Sequence, residues 1–327
     1  TDVSKIDYVI MNHAEPDHAD AGRYVLEVAK GAKLVTSAKG KEAAMMYFNI
    51  DPERIMVVDE SSKLELGGKT LRFVDAPWLH WPETMFTYLE EDGILFPCDF
   101  FGSHLADGPF YSDEMGDELA LDMAKLYFAE IMMPFRRQGA TAVEKVKKLG
   151  VKMIAPSHGV IWRNPEVILG PYTAWTSEKM EKKVAIVYVS MWGSTEKLVN
   201  ALNSMLVEKG ILVNVVDLTV TEIGHVAKEL VDTPVVVVGA PTVLNMMHPA
   251  AAYATLLVKQ LRAPTKYTAL LTSHGWSGGA VKHVQELLGN AKIEILGVVD
   301  PKGPPQQEHF DQVRELADKI EEKLKAL

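Results

Sequence analysis

From Val184 to Val189 the chain reads Val-Ala-Ile-Val-Tyr-Val, a run of six apolar residues with no alternation. A strand solvated on one face alternates apolar and polar residues, so a continuous run marks a strand buried on both faces, the condition of a parallel sheet covered by helices. Four further runs follow, Leu212 to Val216, Pro234 to Val238, Tyr267 to Thr272 and Ile293 to Val299. Helical segments separate them, the first starting at Thr195, and an amphipathic helix from Phe310 to Leu324 closes the chain. This alternation predicts an α/β, doubly wound parallel sheet over residues 184–327. Glu178 to Lys183, a charged stretch, reads as a linker (178–183) that ends a first domain at residue 177.

Residues 1–177 are less regular. Short strands (Tyr8 to Met11, Lys33 to Thr36, Ile55 to Val58, Leu71 to Val74, Gly93 to Phe96, Met153 to Ala155) mix with helical stretches at Met115 to Met132 and Ala142 to Leu149, an α+β pattern that suggests a sandwich. At 327 residues and 47% hydrophobic content there is enough apolar material for two cores. The net charge is -10, of which -8 falls on residues 1–183 and -2 on 184–327. Neither half is built to neutralise phosphates, which argues against nucleic acid, whereas bound cations would offset part of the first half's charge. A single cysteine, Cys98, excludes an internal disulfide and any four-cysteine metal site. No apolar run approaches the roughly 20 residues of a membrane span, and the start lacks signal-peptide character, so a cytoplasmic location without membrane attachment is expected.

The chemistry concentrates after the first strand, in His13-Ala14-Glu15-Pro16-Asp17-His18. His13 and Glu15 are two apart and face one side of an extended chain, while Pro16 turns the backbone so that Asp17 and His18 can face a second ion. Alone the segment permits blander roles: Asp17 could cap a helix starting near Ala19, and His13 could sit in a polar pocket. Three more ligand-type residues stand at expected strand ends and tilt the reading towards metal: His80 in Trp78-Leu79-His80-Trp81-Pro82, Asp99 after Ile94 to Cys98, and His158 after Met153 to Ser157.

In the second half, Ser190-Met191-Trp192-Gly193-Ser194-Thr195 joins the first strand to its helix. Hydroxyls and free amides at a helix N-terminus suit a phosphate monoester. Two more loops end neighbouring strands at the same sheet edge: Gly239-Ala240-Pro241-Thr242-Val243-Leu244-Asn245 and Ser273-His274-Gly275-Trp276-Ser277-Gly278-Gly279.

Together these motifs resemble the flavodiiron proteins. That family presents His-x-Glu-x-Asp-His, a His about sixty residues on, a bridging Asp nineteen later and a last His about sixty beyond; here the intervals are 62, 19 and 59. The resemblance implies a metallo-β-lactamase-like αββα sandwich over 1–177 followed by a flavodoxin-like domain over 184–327. It implies that His13, Glu15 and His80 bind one iron and Asp17, His18 and His158 the other, with Asp99 bridging. The three loops would hold FMN, with Ser190 to Thr195 at the phosphate and Pro241 to Asn245 and Ser273 to Gly279 at the ring; Trp276 offers a flat contact, and His248 and His274 are loop residues without assigned chemistry. Hydrolases of the same superfold typically carry a second His where this chain has Glu15; four His and three carboxylates make a harder donor set, which favours iron over zinc.

The implied activity is reduction of dioxygen to water at a non-haem diiron site, with electrons delivered through FMN; nitric oxide reduction to nitrous oxide is the close alternative. Readings of another class are a dizinc hydrolase with a flavodoxin-like module and a plain electron-transfer protein with a structural metal. The electron donor would be external: a rubredoxin, a flavin reductase or a reduced deazaflavin. The family also implies a head-to-tail homodimer or higher assembly. Only twelve residues precede His13, where the family has roughly sixty, so a further strand-bearing segment is expected to complete the sandwich. Trp78, Trp81 and Phe101 are expected to exclude water from the metal pocket, Cys98 to point into the core, and His104 to be a loop residue or to stand behind the ligands without binding metal.

Overall fold

A computed structural model describes residues 2–106, 108–177 and 179–327. Contacts divide the chain into two compact units, Thr1–Ser177 and Glu178–Leu327. Glu178, at the head of the expected linker, lies outside the described residues. Among the described residues no helix is long and apolar enough to cross a membrane.

The first unit opens with β1 (Tyr8–Ile10), α1 (Pro16–Val28), β2 (Lys33–Thr36), α2 (Ala38–Phe48) and β3 (Ile55–Val57). The strands form a parallel sheet in the order β1-β2-β3, because each helix returns the chain to the same end of the sheet. α1 starts at Pro16, earlier than the expected Ala19: proline suits the first helical position because its missing N–H is one of the orphans there. Asp17 thus lies in the first turn, where its charge is favoured by the helix dipole. α2 is capped by Ser37, whose side chain accepts the Gly40 N–H.

A second sheet follows: β4 (Lys63–Glu65), β5 (Thr70–Asp75), β6 (Met85–Leu89), β7 (Ile94–Phe96) and, after the helices, β8 (Met153–Ile154). β4 to β7 are an antiparallel meander and β8 joins β7 in parallel. Val35 of β2 packs with Leu64, Phe73 and Met85, so the two sheets share one core. The remaining helices are α3 (Ser112–Met115), α4 (Asp117–Tyr127), α5 (Arg136–Leu149) and α6 (Glu166–Thr176). Tyr172 of α6 meets Phe100 and Phe101, and Phe100 stacks on Phe86 of β6, which seats this helix on the second sheet and gives the αββα layering. The single helix expected over Met115 to Met132 is broken: Gly116, at φ +103°, separates α3 from α4, and Phe128–Met132 continue as a π-helical turn. α5 begins at Arg136, before the expected Ala142, and Gly139 lets it lie close to α6: a Cβ there would lie 2.9 Å from Thr176 Cγ2.

The second unit contains β9 (Lys183–Tyr188), α7 (Ser194–Glu208), β10 (Leu212–Asp217), α8 (Ile223–Glu229), β11 (Val235–Val243), β12 (Met246–Met247), α9 (Pro249–Gln260), β13 (Tyr267–Ser273), α10 (Ala280–Leu288), β14 (Glu294–Val299) and α11 (Gln307–Lys325). The parallel order β10-β9-β11-β13-β14 is the flavodoxin-like one, with the change of direction between β9 and β11. Val184, Ile186, Val235, Val237, Ala269 and Leu271 pack one face against Leu198, Leu202, Val313 and Ile320 of α7 and α11.

Two details depart from the sequence reading. Lys183 belongs to β9 rather than to a linker, and it is buried. Its ammonium lies 2.7 Å from Asp232 Oδ1 and 3.6 Å from Glu229 Oε2. Burial pushes its pKa down, but the bond to Asp232 and the nearby carboxylates outweigh this and hold it above the ordinary lysine value, so a charged residue can open a core strand. The loop expected to follow the third strand is partly strand itself: β11 runs on to Val243, and Leu244 and Asn245, both at positive φ, turn it into an antiparallel ribbon with β12.

Gly239 of β11 is what lets α7 approach the sheet at its ligand-binding edge. A Cβ at this position would lie 2.7 Å from Tyr188 Cβ and 3.2 Å from Thr195 Cγ2, atoms near the backbone that cannot swing aside. Gly239→Ala is therefore expected to destabilise the second unit by about 1–3 kcal/mol, read as a lower urea midpoint at unchanged slope. An unchanged midpoint would contradict this account of the packing.

Candidate metal centre and cofactor cavity

Four chain segments converge at one end of the first unit. β1 leads into His13 and Glu15, and the first turn of α1 carries Asp17 and His18. His80 lies in the connection between β5 and β6, Asp99 in the turn after β7, and His158 in the turn after β8. Two glycines make the last pair fit: a Cβ on Gly102 would stand 2.9 Å from Asp99 O and 3.2 Å from His158 O, and one on Gly159 would collide with Ser103. Ser103 in turn donates its N–H to His158 O at 3.2 Å.

All seven residues expected from the sequence are brought together. His13, Glu15 and His80 form one group: Glu15 Oε2 is 3.2 Å from His13 Nε2 and 3.0 Å from His80 Nε2. Asp17, His18 and His158 form the other: Asp17 Oδ2 is 3.4 Å from His18 Nε2 and 3.3 Å from His158 Nε2. Asp99 stands between them. Its Oδ2 lies 3.5 Å from His13 Nε2 and 3.9 Å from His80 Nε2, while its Oδ1 lies 3.1 Å from His18 Nε2 and 3.2 Å from His158 Nε2.

These spacings fit metal ions. With ligand bonds of about 2.1 Å, donors at right angles on one ion lie about 3.0 Å apart. His18 and His158 also point their Nε2 atoms at each other, 3.2 Å apart, an arrangement that two lone pairs adopt readily only around a shared cation or proton. The clearest sign is Asp99 Oδ2, a buried carboxylate oxygen with no hydrogen-bond partner. A buried charged oxygen left unpaired is costly, and a cation on that side would satisfy it.

Electrostatics point the same way. Burial alone would raise the pKa of Asp99, but hydrogen bonds from His158 and His18 and the charge of His18 and His13 hold it far below the carboxylate range. Burial opposes the charged form of His13, yet the Glu83 hydrogen bond and the Asp99 charge outweigh it and raise its pKa. The pocket therefore offers anionic oxygens and basic imidazoles to whatever cation enters.

Two residues of the site were not foreseen from sequence. Glu83 is buried; its Oε1 accepts the Ala14 N–H at 3.0 Å and lies 2.7 Å from His13 Nδ1, which turns Nε2 towards the donor cluster. Tyr127 donates its hydroxyl to Asp99 Oδ1 at 2.8 Å, and burial followed by the Asp99 charge pushes its pKa far up, so it stays a donor. Ala120, Ala124 and Tyr127 form a buried stripe on α4, a sequence signal for burial though not for this bond.

Among the aromatic neighbours, Trp81 stands edge-on to His13 at 5.1 Å and Phe101 is fully buried, but Trp78 is half exposed and stacks on Phe135. Cys98 is buried as expected, for a different reason: it sits in the turn after β7 at φ +54°, not on the strand. His104 is exposed, with Nδ1 3.3 Å from Glu130 Oε2.

In the second unit a cavity of about 680 Å³ opens at the carboxyl ends of β9, β11 and β13. Ser190, Met191, Trp192, Ser194 and Thr195 line it with Pro241 to Asn245 and Ser273 to Ser277. Gly193, Gly278 and Gly279 do not line it; Gly193 caps α7 and Gly279 precedes α10, where a side chain would run into Asn245. Gly303 and Pro304 line it although the sequence reading did not include them. Ser190 Oγ accepts the N–H groups of Gly193 and Glu196 at 3.1 and 3.2 Å, while the N-cap residue Gly193 has no side chain to cover the start of α7, where the N–H groups of Ser194 and Thr195 suit an anion. Trp192, Leu244 and Trp276 are 92%, 86% and 88% exposed, large apolar surfaces beside a cavity that a flat aromatic ring would cover. The residues present therefore fit a ring joined to a phosphate.

A family model described as ODP family beta lactamase matches residues 1–159, and one described as flavodoxin matches residues 186–316. Over 324 residues the chain is 35% identical to a nitric oxide reductase of Moorella thermoacetica, covering 98% of this chain and 81% of that protein. Among solved structures, rubredoxin oxygen:oxidoreductase from Desulfovibrio gigas matches with a TM-score of 0.93 at 30% identity, over 99% of this chain and 82% of that one. The flavodiiron protein from Giardia intestinalis matches with a TM-score of 0.90 at 30% identity and the same coverage.

The Glu83 bond yields a direct expectation for metal affinity. Glu83→Gln keeps the shape of the side chain but weakens the hold on the His13 ring. It should lower affinity for ferrous iron about 10–100-fold, measured by competition with a chelator, with little change in circular dichroism. Unchanged affinity would mean that Glu83 serves folding alone.

Proposed function

Because this chain belongs to the flavodiiron family, whose members are oxidoreductases carrying FMN and a non-haem diiron site, we propose that it reduces dioxygen to water with electrons passed through FMN. His13, Glu15 and His80 would hold one iron in this reading and Asp17, His18 and His158 the other, with Asp99 shared between them. The observation that carries it is the placement of Asp99, with one oxygen towards each group of donors and Oδ2 left without a hydrogen bond. FMN would be held in the cavity of the second unit, by Ser190, Ser194 and Thr195 at its phosphate and by the loops after β11 and β13 at its ring.

When bound, the ferrous pair supplies electrons and open coordination positions to a diatomic gas. Dioxygen needs four electrons to become water, and two ferrous ions with one reduced flavin would supply that number. The chain's own part is positioning. Glu83 fixes the His13 ring, the Tyr127 hydroxyl donates to Asp99 Oδ1, and Trp81, edge-on to His13, shields that ring from bulk water. An external rubredoxin is the proposed donor, in keeping with the name of the Desulfovibrio gigas protein. A head-to-tail homodimer, in which the flavin of one copy serves the irons of another, completes the reading.

Nitric oxide is the second reading, favoured by the name of the Moorella thermoacetica relative. Turnover of the reduced holoprotein with reduced rubredoxin on each gas decides between them. The expected result is dioxygen consumption without released hydrogen peroxide, lowered at least about 100-fold in His80→Ala together with loss of iron. Nitrous oxide formation with negligible dioxygen consumption would select the second reading, and a strictly monomeric active species would remove the dimer.

A further inference from the structure

One pair of side chains behind the cavity of the second unit has no role in the reading above. His274 follows the last residue of β13, and its backbone is already fixed on both sides: its N–H donates to Pro301 O at 3.1 Å, and its carbonyl accepts the Gly303 N–H at 2.8 Å. The loop needs no further restraint at this residue. The imidazole is nevertheless restrained as well. Its Nδ1 lies 3.0 Å from Asp300 Oδ1, and the same oxygen accepts the Thr272 hydroxyl at 2.6 Å.

This arrangement orients the ring. A carboxylate only accepts hydrogen bonds, so Nδ1 carries the hydrogen and Nε2 is the atom left for another partner. Gly278 makes room for the pair: a Cβ there would stand 3.1 Å from Asp300 Oδ2 and 3.3 Å from His274 Nδ1. His274 lines the cavity and Asp300 does not, so the carboxylate can act on a bound molecule only through the ring. A polar group held in one orientation against a flavin shifts the balance between its redox forms. Reduction adds a proton to a ring nitrogen of the flavin as well as electrons, and Nε2, an acceptor when Nδ1 carries the hydrogen, can accept that new N–H and so stabilise the reduced ring more than the oxidised one.

We propose that His274 sets the redox balance of the flavin bound in this cavity, and that Asp300 is a positioning residue acting through His274. The inference rests on the FMN reading of the cavity. The alternative is that Asp300, Thr272 and His274 merely clamp the ends of β13 and β14 together.

The test is a potentiometric titration of the FMN-loaded full chain under anaerobic conditions, for wild type, His274→Phe, Asp300→Asn and the double variant. FMN affinity and thermal unfolding are measured in parallel. His274→Phe should weaken reduced FMN relative to oxidised FMN by about tenfold, a midpoint lower by about 30 mV for the two-electron couple. Asp300→Asn should shift the ratio in the same direction by about threefold, and should add nothing in the His274→Phe background. Where His274→Phe does not fold, His274→Gln serves, with a smaller shift in the same direction. Variants that lose stability or bind both redox forms more weakly by the same factor, at an unshifted midpoint, would overturn the proposal in favour of the clamp. A shift by Asp300→Asn that persists without His274 would overturn the positioning role. A wild-type chain that binds no FMN would instead overturn the cofactor reading itself.

Discussion

Asp99 is buried between four imidazoles, and the first unit is arranged around the charge it carries. Its Oδ1 is satisfied by His18, His158 and the Tyr127 hydroxyl, whereas Oδ2 faces His13 and His80 without a hydrogen bond. Such an asymmetric, partly unpaired carboxylate is a source of instability in the absence of a cation and of affinity in its presence. Metal binding and stability of this unit are therefore linked, because ions bound to the native donors have no equivalent site in the unfolded chain. The sandwich supplies the rigidity: donors come from the ends of β1, β7 and β8 and from the first turn of α1, and backbone bonds such as Ser103 to His158 fix the turns that carry them.

The second unit solves a different problem with the same economy. Its parallel order leaves a crevice where the crossovers diverge between β9 and β11, and the loops there expose Trp192 and Trp276 that a bound ring would cover. Exposed apolar surface, and first-turn amides of α7 that Ser190 does not take, are unfavourable in isolation and favourable with a phosphorylated aromatic ligand. In both units the local features that look like defects are the ones that specify a cofactor.

Much of this was legible in the chain. The runs that became β9, β11 and β13 are unambiguous because a strand buried on both faces has no polar alternation to confuse with a helix face, whereas the edge strands β10 and β14 expose Leu212, Val215 and Val298. The seven donors are legible because His-x-Glu-x-Asp-His is local and the later donors keep family-like intervals. What stayed hidden depends on long-range closure. Glu83 is 70 residues from the His13 it holds, Tyr127 is 28 from Asp99, and Asp300 is 26 from His274. No periodicity encodes such pairs. Element ends failed for local reasons: Gly116 interrupts an otherwise helical stretch, and Lys183 looks like linker until its carboxylate partners are known.

The central claim, a pair of irons bridged by Asp99, is tested most directly by Mössbauer spectroscopy of the iron-loaded protein beside its Asp99→Asn variant. The account predicts a pair of irons in each chain that are magnetically coupled when oxidised, with a diamagnetic ground state, and loss of that coupling or of one iron in the variant. Two uncoupled iron signals in the wild type, a single iron, or a variant indistinguishable from wild type would contradict it.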